Sequence, residues 1–554
     1  MKYCFLFFFF FIFLYEGFSS NFYKKKIKLI HADCIEKNNN ENSFFLRGNI
    51  HIKYHNLHLF CDKAIYKNNE FYGSGNVQLQ SGKEKIISKN IYVGKYFHYL
   101  KLSGRVRFNQ GKKKLIADTI NYNIRKKLLQ AVDNVVLFFD NENIKLTTNM
   151  LEYNLEIKKI FYKNGGIIYY DEYTISSKEG YFSESEKKAE LKYGIKLMSK
   201  NYTLYTKTLE YLFIKNQINF DDPILIRQNK DINNFLYAQK TLFFLHRKIF
   251  VFKKNISIHY NGKIVRGKNL FFDQKKQSGF LRDIFLEDSN KKYLLMGGSV
   301  NFNLNHGFFL LKENPKIIKI LKKDSVIIDS DTLKINLKKN SIHLIQAFSV
   351  KIFFPNEQIQ GKCQIFNLDF SKNYIQLDGN PMFWFQNKQF SGNSISIHFE
   401  EKNYSIKYIN IIKNASYIER INLQEFNQIE GQIMIGFFNQ KNTLKKIITK
   451  GNTKILIFIP TYNGKKWIHK SFCENLYIDW NEEKNIKKVF FTDRSHSELI
   501  PVDKDTPKKF FFLPKFYWKE KEETPNINKI YKKIEKYRIQ NLLEQKEIKK
   551  IIKK

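Results

Sequence analysis

Apolar positions along this chain recur in a short phrase that returns about every thirty residues, a period that denotes stacked supersecondary units rather than independent globules. The clearest copy is Leu115-Ile116-Ala117-Asp118-Thr119-Ile120-Asn121-Tyr122, preceded by Gly104-Arg105-Val106-Arg107-Phe108. The first place of the phrase falls on Ala32, Cys61, Ser88, Ala117, Thr148, Ser177 and Thr206. Looser copies start at Gln239, Gly267, Gly297, Ser330, Gly361, Gly392, Glu430 and Cys473. The fourth and sixth places are apolar, as in Ile120 and Tyr122, Leu151 and Tyr153, or Leu270 and Phe272. Residues two apart share a strand face, so each copy predicts a one-sided β-strand. A further apolar residue stands two places ahead of the phrase, at Leu59, Leu115, Leu146, Leu204 and Val265 among others, on the opposite parity. Strand parity flips only at an inserted residue or a turn, which predicts a bulge or corner at the Ala117-Asp118 type of pair.

The partner strands are equally regular. Gly48-Asn49-Ile50, Gly75-Asn76-Val77, Asp133-Asn134-Val135 and Gly298-Ser299-Val300 each set alternating apolar residues behind a turn-former. Gly, Asn and Asp supply the positive φ or the side-chain bonding that a tight turn needs. Abundant Phe (53) and Tyr (32) with scarce Pro (9) suit strands. Four of the prolines, Pro501, Pro507, Pro514 and Pro525, crowd into one stretch and mark the end of the repeats. The expected organisation is repeats over 29–225, a second block over 226–400, degenerate repeats over 401–485, a Pro-containing linker over 486–524 and a short amphipathic helix over 525–554. In that helix Ile530, Ile534, Tyr537, Leu542, Ile548 and Ile551 approximate a 3.6-residue period, and Thr524-Pro525 suits its start. Covering the exposed strand at that end of the stack is its expected role; touching a membrane surface through its basic face, or fraying, are the alternatives.

At the other end, Lys2 precedes an apolar run from Phe5 to Tyr15 and then Gly17-Phe18-Ser19. The run is shorter than the ~20 residues that span a bilayer and fits the core of a secretory signal over 1–19, which predicts export. Cys34, Cys61, Cys363 and Cys473 are too few for a disulfide scaffold, and a Cys34–Cys61 bridge stays open. The net charge of +41 invites a nucleic-acid partner. The lysines, however, are spread through the whole chain, and export removes most such partners, so no nucleic acid is expected. A basic surface still attracts phosphate-bearing ligands, lipid headgroups included.

A search for chemistry is empty. The sequence has no Gly-rich phosphate loop, no Gly-x-Ser-x-Gly, no His-Glu-x-x-His and no Cys-x-x-Cys. Of His51, His55 and His58, two would share a strand face while the third points away, which suits a solvated face and not a metal. Asp62 and Asp118 stand at the second place of the phrase, but Lys89, Lys178, Lys207 and Lys268 fill it elsewhere, which reads as a corner and not a catalytic row. Neither an enzyme nor a cofactor is expected.

The phrases Ala117-Asp118-x-Ile120-x-Tyr122 and Gly75-Asn76-Val77, alternating behind a signal-like segment, resemble the OstA/LptA family of lipopolysaccharide-export proteins, in its longer multi-repeat form. The resemblance extends over roughly residues 29–485 and is strongest from 45 to 225. It implies an all-β fold: an elongated, open β-jellyroll, or β-taco, of stacked antiparallel strands with an apolar inner groove for acyl chains. It also implies a periplasmic bridge that carries lipopolysaccharide or a related anionic glycolipid toward the outer membrane, joined to other jellyroll components by edge-to-edge strand pairing. On that reading the groove is lined by Val77, Leu79, Val106, Phe108, Ile120, Tyr122, Val135, Leu137, Leu151 and Tyr153. An acyl chain gains ~0.8 kcal/mol per buried methylene wherever it sits, so sliding needs a continuous lining and no deep pocket. A secreted structural or adhesive β-solenoid without lipid cargo is the alternative.

Overall fold

The computed structural model describes residues 27–553 except 39–41, 83, 140–143, 289–292, 321–324, 339–340, 355–358, 401–404, 440–442, 461–464, 482–485, 504 and 523–526. The signal-like segment 1–19 lies outside the described residues. The fold is an open β-jellyroll of stacked antiparallel strands, forty among the described residues, with one α-helix. It divides into two compact units, residues 1–193 and 194–554.

The unit of the stack is a strand bent at its middle. In the pairing of Tyr99–Gln110 with Lys113–Asn123, Ser103 faces Thr119 and Val106 faces Ala117, so Gly104 and Arg105 together oppose Asp118. The extra residue therefore belongs to the partner strand and not to the Ala-Asp pair, although both strands bend at that level. Both bulged residues have positive φ: 88° and 52° at Gly104-Arg105, 76° and 44° at Gly75-Asn76, 63° and 51° at Asp133-Asn134. These pairs are thus corners inside continuous strands, where the sequence suggested turns ahead of them. Glycine is required at two of them. A Cβ on Gly75 would stand 2.6 Å from Asp62 Oδ2, and one on Gly104 2.4 Å from Lys89 Cβ.

The second place of the phrase has a structural task at the same corner. Asn76 Nδ2 donates to Asp62 Oδ2 at 2.9 Å, Asn134 to Asp118 at 2.7 Å and Asn49 to Asp33 at 3.0 Å. On the inner side of the bend, where the two halves of each strand converge, only a compact side chain fits. Cys61, Ser88, Ala117, Thr148, Ser177 and Thr206 are all buried there. The same crowding corrects three of the looser copies. The inner-corner residue is Ala238 and not Gln239, Cys363 and not Gly361, and Gly431 and not Glu430. Their neighbours three places on, Thr241, Phe366 and Met434, are the buried ones.

Each bend produces two arms. The first carries Val106 and Leu115, the second Leu102 and Ile120. In the first unit the inner faces of the arms meet. Leu59, Leu79, Leu137 and Leu146 of the first arm and Ile91, Leu102, Ile120, Ala131 and Leu151 of the second are buried. Fully burying a Leu or Ile contributes about 1.5–3 kcal/mol, so this shared core holds the stack together.

The C-terminal region departs most from expectation. Residues 486–524, expected as a linker, contain two more strands, Ile486–Thr492 and His496–Val502, and then a strap that runs back over the second unit. The helix, α1, spans Ile527–Lys553, within the 525–554 expected for it. It does not cover the last strand; it seats on strands far earlier in the chain. Cys34 and Cys61 are both free, the first exposed and the second buried.

Candidate functional site

In the first unit the residues expected to line the groove come together. Val77, Leu79, Val106, Val135 and Leu137 of the first arm, with Ile120, Leu151 and Tyr153 of the second, are buried, while Phe108 and Tyr122 are half-buried. Register places them side by side across strands: Phe108 faces Leu115, which faces Leu137, which faces Leu146. On the other arm Leu102 faces Ile120, Ile120 faces Ala131, and Ala131 faces Leu151. The two sheets of side chains fill the space between the arms.

The mouth of this unit is clasped. Lys113 of the first arm pairs with Glu184 on the second and lies 6.0 Å from the centre of the Tyr153 ring. Tyr54 stacks on Phe97 at 4.3 Å between ring centroids, and Phe139 approaches Phe182 at 6.1 Å, each pair bridging the arms. Burial, then the Glu184 and Glu84 carboxylates, push the Tyr153 phenol above its ordinary range; burial, then Glu84, raise that of Tyr122. Both rings stay neutral and apolar across the physiological range.

The second unit keeps the same inner face, and its side chains become more exposed toward the mouth. One row of paired residues runs from Leu204 through Ile226, Leu236, Ile258, Val265, Leu286, Leu295, Ile317 and Ile328 to Ile352, each directly opposite the next. No polar side chain interrupts it. Next to the corner, Ile224, Ala238, Ile256 and Ile284 are buried. Except for the buried Leu204, the row itself is half-buried. At the mouth Tyr202, Tyr260 and Tyr293 are 51%, 56% and 47% exposed, so access to the inner face increases outward. None of these residues was singled out for the lining from sequence, although Leu204 and Val265 belong to the apolar place that recurs ahead of the phrase.

The opposite face of the same arm carries the C-terminal segment. Three buried glutamines hold the strap by its backbone. Gln428 Nε2 donates to the Phe511 carbonyl at 2.8 Å and its Oε1 accepts from Leu513 N–H at 2.7 Å. Gln389 bonds the Tyr517 carbonyl and the Lys519 N–H in the same way, and Gln360 donates to the Glu522 carbonyl at 2.9 Å. Trp384 Nε1 reaches the Lys519 carbonyl at 2.9 Å. Beyond the strap, Ile534 of α1 packs among Phe285, Leu294, Met296, Ile318, Ile327 and Phe353, and Ile548 packs on Leu225 and Tyr237. Arg266 pairs with Glu544 at 3.3 Å with both side chains buried, and Arg538 pairs with Glu287 at 2.6 Å. Burial pushes the Arg266 guanidinium down and the Glu544 carboxyl up, and each opposes the shift of the other. A pair so placed fixes the seat of the helix more than it stabilises it.

Elsewhere the chemistry is sparse. His51 and His58 share a hydrogen bond of 2.8 Å, and among the described residues no three His, Cys, Asp or Glu side chains converge as metal ligands would.

Comparison with known proteins gives family matches to parts of the chain. Residues 24–133 and 98–207 match the family described as OstA-like protein, and residues 320–403 match the family described as LptA/(LptD N-terminal domain) LPS transport protein. Among solved structures, LptH, the LptA homologous periplasmic component of the lipopolysaccharide transport device from Pseudomonas aeruginosa, is 13% identical, with 25% of this chain and 81% of that chain covered. Its TM-score is 0.14, too low to bear on the arrangement of the strands. Among curated proteins, the DNA-directed RNA polymerase subunit beta'' of Marchantia polymorpha is 24% identical over 300 residues, 51% of this chain. The chain spans only 20% of that protein's length, and the polymerase activity does not carry over. With OstA-like matches over residues 24–207, an LptA-type match over 320–403 and the same bent strands in each, these stretches carry the repeats of the OstA-like/LptA family.

Proposed function

We propose that this protein carries the acyl chains of lipopolysaccharide, or of a related anionic glycolipid, along the inner faces of its arms. On this reading it acts in the periplasm as part of a bridge toward the outer membrane. The observation that carries the proposal is the unbroken apolar row from Leu204 to Ile352, half-buried and leading to exposed residues at the mouth. Such a row offers near-equal burial at every step, which suits a cargo that must move rather than stop. In the first unit the arms must part before the ten lining residues can meet a lipid, and the Lys113–Glu184 pair and the Tyr54–Phe97 stack are what must release. The exposed strands Lys28–His31 and Cys34–Asn38 at one end, and His496–Val502 at the other, supply edges on which further jellyroll components would pair.

Photo-crosslinking residues placed at Ile226 and Leu286, and at Phe108 and Tyr122, test this in intact cells. A lipid adduct at the second-unit sites is expected. Absence of any adduct at all four would sink the transport reading and leave a structural β-solenoid.

A further inference from the structure

We propose that the outward face of α1 docks on the anionic surface of a lipid bilayer. The inward stripe of the helix, Ile530, Ile534, Tyr537, Ile548 and Ile551, is consumed by the second unit. The ion pairs of Arg538 and Glu544 and the bond from Tyr237 to Glu547 keep the helix from rolling. What remains outside is fixed in orientation. Lys532, Lys536, Ile539, Leu543, Lys546 and Lys550 follow one another three or four residues apart, and therefore share one face.

At the centre of that face Ile539, Leu542 and Leu543 are 60%, 62% and 59% exposed, although the helix already has a complete apolar stripe facing inward. Lysines flank the apolar triad on both sides, and all are exposed. Apolar side chains between basic ones are what an interfacial helix presents to headgroups and the acyl boundary below them.

Charge sorting strengthens the inference. Between 527 and 554 there are ten Lys or Arg against three Glu. Two of those glutamates, Glu544 and Glu547, are engaged by Arg266 and Tyr237, which leaves Glu535 as the acidic residue of the outward face. A second copy of this chain on the same face would set lysine against lysine, and an anionic lipid surface would not. The contact is separate from the cargo path, because the inner row from Leu204 to Ile352 lies on the other side of the strands that α1 covers.

Sedimentation of the full chain with vesicles tests the idea. Binding is expected to vesicles of mixed phosphatidylglycerol and phosphatidylcholine, not to phosphatidylcholine alone, and is expected to weaken with salt. The Lys532→Gln/Lys536→Gln variant should lose about five-fold in affinity per lysine removed. The Ile539→Ser/Leu542→Ser/Leu543→Ser variant should lose binding with an unchanged circular dichroism spectrum, since none of the three supports the core. Equal sedimentation of this variant, or equal binding to both vesicle types, overturns the proposal. So does gel filtration in which the serine variant turns a wild-type dimer into a monomer while vesicle binding persists. Crosslinking of cargo at Leu286 is expected to survive the serine variant, which separates failure here from failure of the transport reading.

Discussion

A single methyl group probes the corner that every strand repeats. Gly75 has a φ of +76°, and an added Cβ would press on the Asp62 carboxylate. Gly75→Ala is expected to destabilise the first unit by roughly 1–3 kcal/mol in thermal or urea unfolding. Gly82→Ala, at φ +55° with nothing within 4 Å, should cost less because only the backbone term remains. Gln428 makes the parallel case in the second unit. Replacing it by Leu leaves the Leu513 N–H and the Phe511 carbonyl without their partner, at a cost of about 2–4 kcal/mol. The corner was partly legible in the sequence. A recurring small residue followed by a parity flip showed that the strand bends, but not that the inserted residue sits on the neighbouring strand. That fact concerns the register between two strands, and neither strand states it alone. The misplacement of Gln239 and Glu430 by one residue has the same origin.

Strands and helix differ in how they announce themselves. Alternation placed the strands because their partners are close in sequence, two bent strands to each period. The helix was visible through its 3.6-residue spacing, yet its seat was not. Tyr237 and Glu547 are 310 residues apart, and nothing in the local pattern of either names the other. The buried seat predicts a pH dependence. His259 lies on the covered face, stacked on Phe235 at 4.1 Å between ring centroids; burial first, then Arg266, lower its pKa from 6.5 to about 4. The folded state thus holds fewer protons than the unfolded one between those values. The stability from neutral His259 is present above pH 6.5 and is lost as the pH falls toward 4. After allowance for its partial exposure, a loss of about 1–2 kcal/mol between pH 7 and pH 4.5 is expected. Urea melts at both pH values should show it, and His259→Asn should flatten the difference.

At the scale of the whole molecule, the two units present one repeat in two states. The first is clasped across its mouth by Lys113–Glu184 and Tyr54–Phe97, and in the second Tyr202, Tyr260 and Tyr293 stand exposed at the mouth. Hydrogen exchange should therefore respond differently in the two units when the C-terminal segment is removed. Truncation ahead of Pro507 uncovers Phe285, Leu294, Ile318, Ile327 and Phe353, and is expected to raise dye binding to apolar surface and to speed exchange in 194–500. The first unit, which shares none of these contacts, should be unaffected. The ten lining residues proposed from sequence all fell in the first unit, where the repeat is most regular. The longer row in the second unit went unnoticed because it is read across strands and not along them. The strap also sets an order in time. Every strand it covers leaves the ribosome before it does. Until α1 has followed, the face that carries Phe285, Leu294, Ile318, Ile327 and Phe353 waits without its cover, so newly made chains should depend on a holding chaperone.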